Sequence, residues 1–166
     1  MRRKDREVTD RSWQEQVLNE ATVLELGMVD AEGRPYVVPL GFGYEDGTIY
    51  LHGAPEGQKN DILAANPYVC FQAFVGAEVV RADVGSSFSM HYRSVTGFGT
   101  VRTLTDLDEK NRALEILMKH YDGPHSPLGE GHERIWVARL DIERMTGKSS
   151  PPLAKPDQTD PKTPKA

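Results

Sequence analysis

Two stretches of this chain carry residue types and spacings suited to chemistry. The first runs from His52 to Lys59. Side chains alternate along a strand, so over residues 48–52 Ile49 and Leu51 share one face and Tyr50 and His52 the other. His52 therefore ends a strand on the face opposite its aliphatics, beside Gly53. Lys59 follows seven residues later at the start of a helix, where free N–H groups and the helix dipole already favour anions. A cation there, with bare backbone at Gly53 and Gly57, describes a phosphate pocket. A solvated helix lysine is the alternative reading of the same residue.

The second stretch is His91-Tyr92-Arg93-Ser94-Val95-Thr96-Gly97-Phe98-Gly99. Alternation puts Tyr92, Ser94, Thr96 and Phe98 on one face and Arg93, Val95, Gly97 and Gly99 on the other. Two glycines on one face admit another backbone or a flat ring, at some cost in strand stability. Arg93 can bind a phosphate or a ring oxygen with two parallel hydrogen bonds. A surface ion pair is the ordinary use of an isolated arginine.

Other signatures fail. Gly97-Phe98-Gly99 lacks a third glycine, since position 102 is Arg102, and it lies within a strand, so it is no dinucleotide fingerprint. No lysine follows a glycine loop in the manner of a P-loop. His132-Glu133 is followed at the required spacing by Trp136, which excludes the paired histidines of a zinc protease. His120 and His125 flank a Gly-Pro turn and read as solvated loop positions. Cys70 is the only cysteine, so neither an internal disulfide nor a multi-cysteine metal site is possible, and no metal is expected.

These residues must be positioned by a mostly extended chain. Strands are expected over residues 22–29, 36–42, 48–52, 68–75, 92–104 and 135–142. The first three are expected to form a meander, with Asp46-Gly47 as a hairpin turn. Helices are expected from a Ser12/Glu15 capping box to about Glu20, over 58–65 with a stop at Asn66-Pro67, and over 106–121. Trp13, Val17 and Leu18 mark the buried face of the first. A polar loop is expected over 122–133, and Arg2 to Arg6 can form a loose basic arm. The order predicts a mainly β fold, a small closed or half-closed antiparallel barrel of six strands with short helices on its rim. Residues 1–150 form the expected domain. Residues 151–166, with five of the eleven prolines and one large aliphatic, Leu153, are expected to be a disordered tail.

Composition limits the partners. Hydrophobic residues make up 38% of 166, and the net charge is −5. Counterion release needs clustered cations, so nucleic acid is not an expected partner. No apolar stretch approaches the roughly 20 residues that span a bilayer, and no secretory signal follows Met1, so no membrane partner is expected. A reducing, cytoplasmic location fits the single cysteine.

Several segments, in order, resemble one family. They are Met1-Arg2-Arg3-Lys4-Asp5-Arg6-Glu7, Pro35-Tyr36-Val37-Val38-Pro39-Leu40-Gly41-Phe42-Gly43-Tyr44, Ile49-Tyr50-Leu51-His52-Gly53-Ala54, Asn66-Pro67-Tyr68-Val69-Cys70-Phe71, Tyr92 to Gly99, and Thr146-Gly147-Lys148. Together they resemble the 5-nitroimidazole-resistance proteins of the pyridoxamine 5'-phosphate oxidase-like superfamily. The resemblance implies a split β-barrel that forms a homodimer, with FMN at the subunit interface. It implies cofactor contacts from Val37, Val38, Pro39, Leu40, Gly41 and Phe42 along the second strand, and from His52 and Gly53. Gln58 and Lys59 would take the phosphate, where the oxidase itself has two cations. Ser94, with Arg93 beside it, would also reach the flavin, and Lys148 would approach the phosphate. The implied activity is reduction of a nitro group on a small aromatic acceptor, with NAD(P)H as a candidate donor. His52, as an imidazole able to give or take a proton near neutrality, is the implied catalytic residue. A deazaflavin in place of FMN, a purely structural His52, and a non-catalytic flavin- or haem-binding module are the alternatives.

Overall fold

The computed structural model describes residues 2–123 and 134–153. In chain order the elements are β1 (Glu7–Val8), α1 (Arg11–Glu20), β2 (Leu24–Val29), β3 (Pro35–Leu40), β4 (Phe42–Glu45), β5 (Thr48–Gly53), α2 (Gln58–Ala65), β6 (Tyr68–Val80), β7 (Ser89–Thr103), α3 (Leu107–His120) and β8 (Trp136–Ser150). The strands form one antiparallel sheet in the order β3-β2-β6-β7-β8-β5-β4, and β1 pairs with β8. The two end strands, β3 and β4, are consecutive in the chain and separated only by Gly41. A sheet whose opposite edges are joined by one residue must curl until those edges meet, and the result is a split barrel.

This corrects the single expected strand over 36–42 and the expected meander. Leu40 pairs with Leu24 of β2, whereas Phe42 pairs with Leu51 of β5. The switch between partners follows from burial: Phe42 is fully buried, and its N–H turns to the hydroxyl of Tyr121 at 2.9 Å. With this split and the short β1, the six expected strands become eight. β1 pairs Glu7 with Lys148 and Val8 with Gly147, and Lys4–Arg6 form one 3-10 turn, so the basic start is tied to the barrel rather than loose.

Local chemistry explains most boundaries. Asp46 and Gly47 have φ of 46° and 84°, the left-handed pair that a two-residue hairpin needs. α1 is capped by Asp10, whose carboxylate accepts from the Trp13 N–H at 2.6 Å, so the Ser12 capping box does not form. Asp106 caps α3 in the same way through Glu109 N–H at 3.0 Å. β6 continues past residue 75 because Gly76, at φ 62°, is absorbed in a bulge between Val75 and Glu78. β8 likewise runs eight residues beyond Ile142, following a second bulge opposite Phe98 and Gly99. Its polar distal half hid that extension from hydrophobic patterning.

The barrel interior is filled by Leu24, Leu26, Phe42, Ile49, Leu51, Phe71, Val95 and Leu140, all fully buried. α3 covers the outside of β4 and β5, where Ala113, Leu114 and Leu117 pack on Val137 and Leu104. A Cβ on Gly43 would lie 2.9 Å from the Leu117 nitrogen, so the helix rests directly on the strand.

Candidate functional site

The His52–Lys59 stretch and the β3–β4 junction converge on one end of the barrel. β5 alternates as expected: Ile49 and Leu51 are fully buried, while Tyr50 and His52 lie half-buried on the other face. Gly41 is the meeting point. A Cβ there would stand 3.6 Å from His52 Nε2 and 3.3 Å from the Tyr121 hydroxyl. Tyr121 accepts from Phe42 N–H and donates to the Thr22 carbonyl at 2.8 Å, which fixes the wall of the junction. His120 beside it bonds the Ala21 carbonyl through Nε2 at 2.8 Å and packs on Phe42, so it is a structural residue rather than a solvated one.

Lys59 occupies the second position of α2, whose N-cap, Gly57, supplies no side-chain cap. The Asn60 and Asp61 amides bond the Gly57 carbonyl, which leaves the amides of Gln58 and Lys59 without an intrahelical acceptor. Lys59 Nζ lies 3.3 Å from the centroid of the Trp136 ring. Its Cε and Nζ would be 3.7 and 3.8 Å from a Cβ on Gly53, which is half-buried, as Lys59 is. The ammonium also donates to Asn60 Oδ1, and no carboxylate pairs with it among the described residues. Burial alone pulls its pKa down to about 8. A half-buried cation with no anion of its own is an incomplete arrangement, and an anion would complete it. Gln58 is exposed at the first position of α2.

β3 forms the adjoining rim. It is an edge strand bonded only to β2, so backbone groups on its other edge are free, except that Pro35 and Pro39 have no N–H. Val37 and Pro39 face outward, Val37 at 60% exposure, and Val38 and Leu40 are half-buried against the core. Gly41 and His52 adjoin at the β3–β4 junction, and Gly53 and Lys59 at the start of α2. Val37, Val38, Pro39 and Leu40 lead into the β3–β4 junction, with Val37 and Pro39 on the outer sheet face. The donor set there suits a phosphate-bearing planar ligand: a cation, uncapped helix amides, an edge strand and two glycines without side chains in the way.

The second stretch lies elsewhere. Ser94, 8% exposed, sits on the outer face of β7 between Phe74 of β6 and Lys148 of β8. It lines a cleft of about 350 Å³ with Gln72, Phe74, Tyr92, Thr96 and Lys148. Lys148 lies twelve residues along β8 from Trp136, about 40 Å of extended strand. The cleft that Ser94 and Lys148 share has neither Lys59 nor Trp136 in its wall. Arg93 points to the opposite face from Ser94, where its guanidinium makes two bonds to the Glu20 carboxylate of α1. Gly97 and Gly99 admit protein rather than ligand. A Cβ on Gly97 would be 2.3 Å from the Phe71 ring, and one on Gly99 2.1 Å from the Asp141 carbonyl oxygen.

Sequence reasoning missed Tyr121, Asn60 and Trp136. Trp136 reaches the site because β8 pairs it with Gly53, a register that no local pattern encodes. Asn60 adjoins Lys59, but its bond to the Ala54 carbonyl at 3.1 Å depends on the path of the intervening loop. His125 and His132 lie outside the described residues. Among the described residues no cluster of potential metal ligands occurs, and no helix is long and apolar enough to cross a membrane.

Residues 10–149 match the family described as pyridoxamine 5'-phosphate oxidase. A crystal structure of a candidate 5-nitroimidazole antibiotic resistance protein from Bacteroides thetaiotaomicron is 34% identical, with a TM-score of 0.75 over 86% of this chain and 85% of that one. An FAD-binding protein from Mesorhizobium loti is 26% identical, with a TM-score of 0.63 over 86% and 95% of the two chains. The FAD and heme binding protein from Mycobacterium smegmatis shares the fold at 21% identity, with a TM-score of 0.77 over 93% and 77%. No curated protein matches by sequence. The order of segments, the split barrel and these likenesses agree: the chain belongs to the pyridoxamine 5'-phosphate oxidase-like family, with the 5-nitroimidazole-resistance proteins.

Proposed function

We propose that this protein is an FMN-dependent oxidoreductase that reduces nitroaromatic or similar small acceptors. The observation that carries the reading is the Lys59 ammonium, half-buried beside Gly53 at an uncapped helix start, with no carboxylate partner. Lys59 would hold the FMN phosphate together with the first amides of α2, and the free edge of β3 would meet the ring system. The bound flavin would supply hydride or electron transfer. His52 Nε2 faces the Gly41 junction, so a proton carried on that nitrogen is presented beside the ring site. NAD(P)H is the proposed donor and the cytoplasm the proposed compartment.

The same reading makes the protein a homodimer. Ser94 of β7 and its β8 partner Lys148 line a cleft that includes neither Lys59 nor Trp136, and a second copy would present them to the Lys59 site. The outer sheet face exposes Val37, Phe74 and Met90. It also holds Glu25, whose Oε2 is buried without a hydrogen-bond partner. Covering that face would remove apolar surface from water and offer the carboxylate a donor.

The purified protein is expected to be yellow, to bleach with dithionite, and to turn over NAD(P)H with a nitroaromatic acceptor. His52→Ala should keep the flavin spectrum and lose nitro reduction. A red protein with a Soret band, or flavin binding without turnover, would replace this reading with a cofactor-binding module. Retained activity in His52→Ala would remove the proton role.

A further inference from the structure

The Lys59 ammonium rests on an indole rather than on an acid. Trp136 is 8% exposed, and its Nε1–H donates to Thr103 Oγ1 at 3.2 Å, so the ring is held from both its packed side and its polar edge. Register places it opposite Gly53, the bare backbone beside Lys59. The ammonium lies 3.3 Å above its centroid, inside the range in which the negative face of an aromatic ring attracts a cation. Asn60 takes one of the three ammonium donors and is itself anchored to the Ala54 carbonyl.

The choice of a ring over a carboxylate has a consequence. A carboxylate would neutralise the lysine and compete with an incoming anion. An indole face holds the side chain in place and leaves its full charge, and the remaining donors, for a ligand at Gly53. We infer that Trp136 is a positioning residue that holds Lys59 as a charged, uncommitted ligand for a phosphate monoester. It thereby makes the site discriminate a phosphorylated flavin from its unphosphorylated parent. The lowered pKa of Lys59 agrees with a cation kept dry and unpaired. The discrimination rests on the flavin reading above; the placement of Lys59 on the ring does not.

The test compares FMN and riboflavin binding in wild type, Trp136→Phe and Trp136→Leu. Trp136→Leu should reduce the preference for FMN over riboflavin roughly tenfold, through FMN alone, while Trp136→Phe, which keeps a ring face, holds it within about threefold. An unchanged preference in Trp136→Leu, or equal weakening of both flavins, would overturn the inference. A second measurement needs no variant at position 136. In wild type labelled with ¹³C at lysine Cε, one methylene signal should be shifted upfield by the indole, vanish in Lys59→Ala, and move on addition of inorganic phosphate. No upfield signal, or one unmoved by phosphate, would overturn it even if Trp136→Leu fails to fold. Should wild type bind neither flavin, the flavin reading fails by itself, and the phosphate titration decides the role of Trp136.

Discussion

Two cations singled out by the sequence meet opposite fates in the fold. Arg93 is met by Glu20 of α1, and its charge is spent inside the chain. Lys59 is met by the Trp136 ring and an asparagine, and its charge is left over. Their surroundings differ in the same sense. Around Arg93 the chain is closed: Gly97 and Gly99 are filled against Phe71 and the β8 bulge, and a Cβ on Gly147 would meet Trp13 at 2.7 Å. Around Lys59 it is open: a Cβ on Gly53 would meet nothing nearer than 3.7 Å, and one on Gly57 nothing within 4 Å. Glycine and a basic residue recur in both places, yet one corner is closed by packing and the other is left open. What separates them is whether the polypeptide completes its own contacts.

The contrast is broken most sharply at the closed corner. Gly99→Ala places a methyl against the Asp141 carbonyl oxygen, backbone that cannot turn aside, and should cost about 3 kcal/mol or more in a chemical denaturation curve. A loss under about 1 kcal/mol would show that the bulge yields and that the corner is not closed. At the open corner, Lys59→Ala should leave the unfolding midpoint near wild type and weaken FMN binding by about 1–2 kcal/mol, the scale of one charge-assisted hydrogen bond. Fluorescence quenching of FMN reads this directly, and an unchanged dissociation constant would remove Lys59 as the anchor. The smallest effect is expected from Arg93→Ala. Its pair with Glu20 is largely solvent-exposed, so the stability change should be about 0.2–1 kcal/mol with FMN affinity intact. A large loss of FMN from that variant would return Arg93 to the cofactor and dissolve the distinction.

Sequence made the elements legible where local chemistry decides them. The 58–65 helix and the Asp46-Gly47 hairpin match their expected places, because a glycine start, an Asn-Pro stop and a left-handed pair are local signals. The break at Gly41 was not legible. Residues 36–42 read as one strand, and only closure of the barrel sends Leu40 and Phe42 to opposite sheet edges. The same holds at the site. His52, Gly53 and Lys59 were visible through alternation and helix-start chemistry. Trp136 arrives through register eighty-three residues after Gly53, and Glu20 meets Arg93 seventy-three residues away. Neighbours that decide whether a cation is spent or spare are contributed by distant chain, so residue type alone could not tell Arg93 from Lys59.

The central claim is that Lys59 is charged, unpaired and waiting for phosphate. Its pKa in the free protein is lowered to about 8, and a bound phosphate dianion would favour the charged form and raise that value. Above pH 8 the complex then holds a proton that the free protein has released. Affinity should accordingly be full below pH 8 and fall as pH rises through it. Calorimetric titration of FMN at about pH 8.5, in two buffers of different ionisation enthalpy, measures this directly. The account predicts proton uptake on binding by wild type and none by Lys59→Ala. Binding without proton uptake, or equal uptake in both proteins, would contradict it.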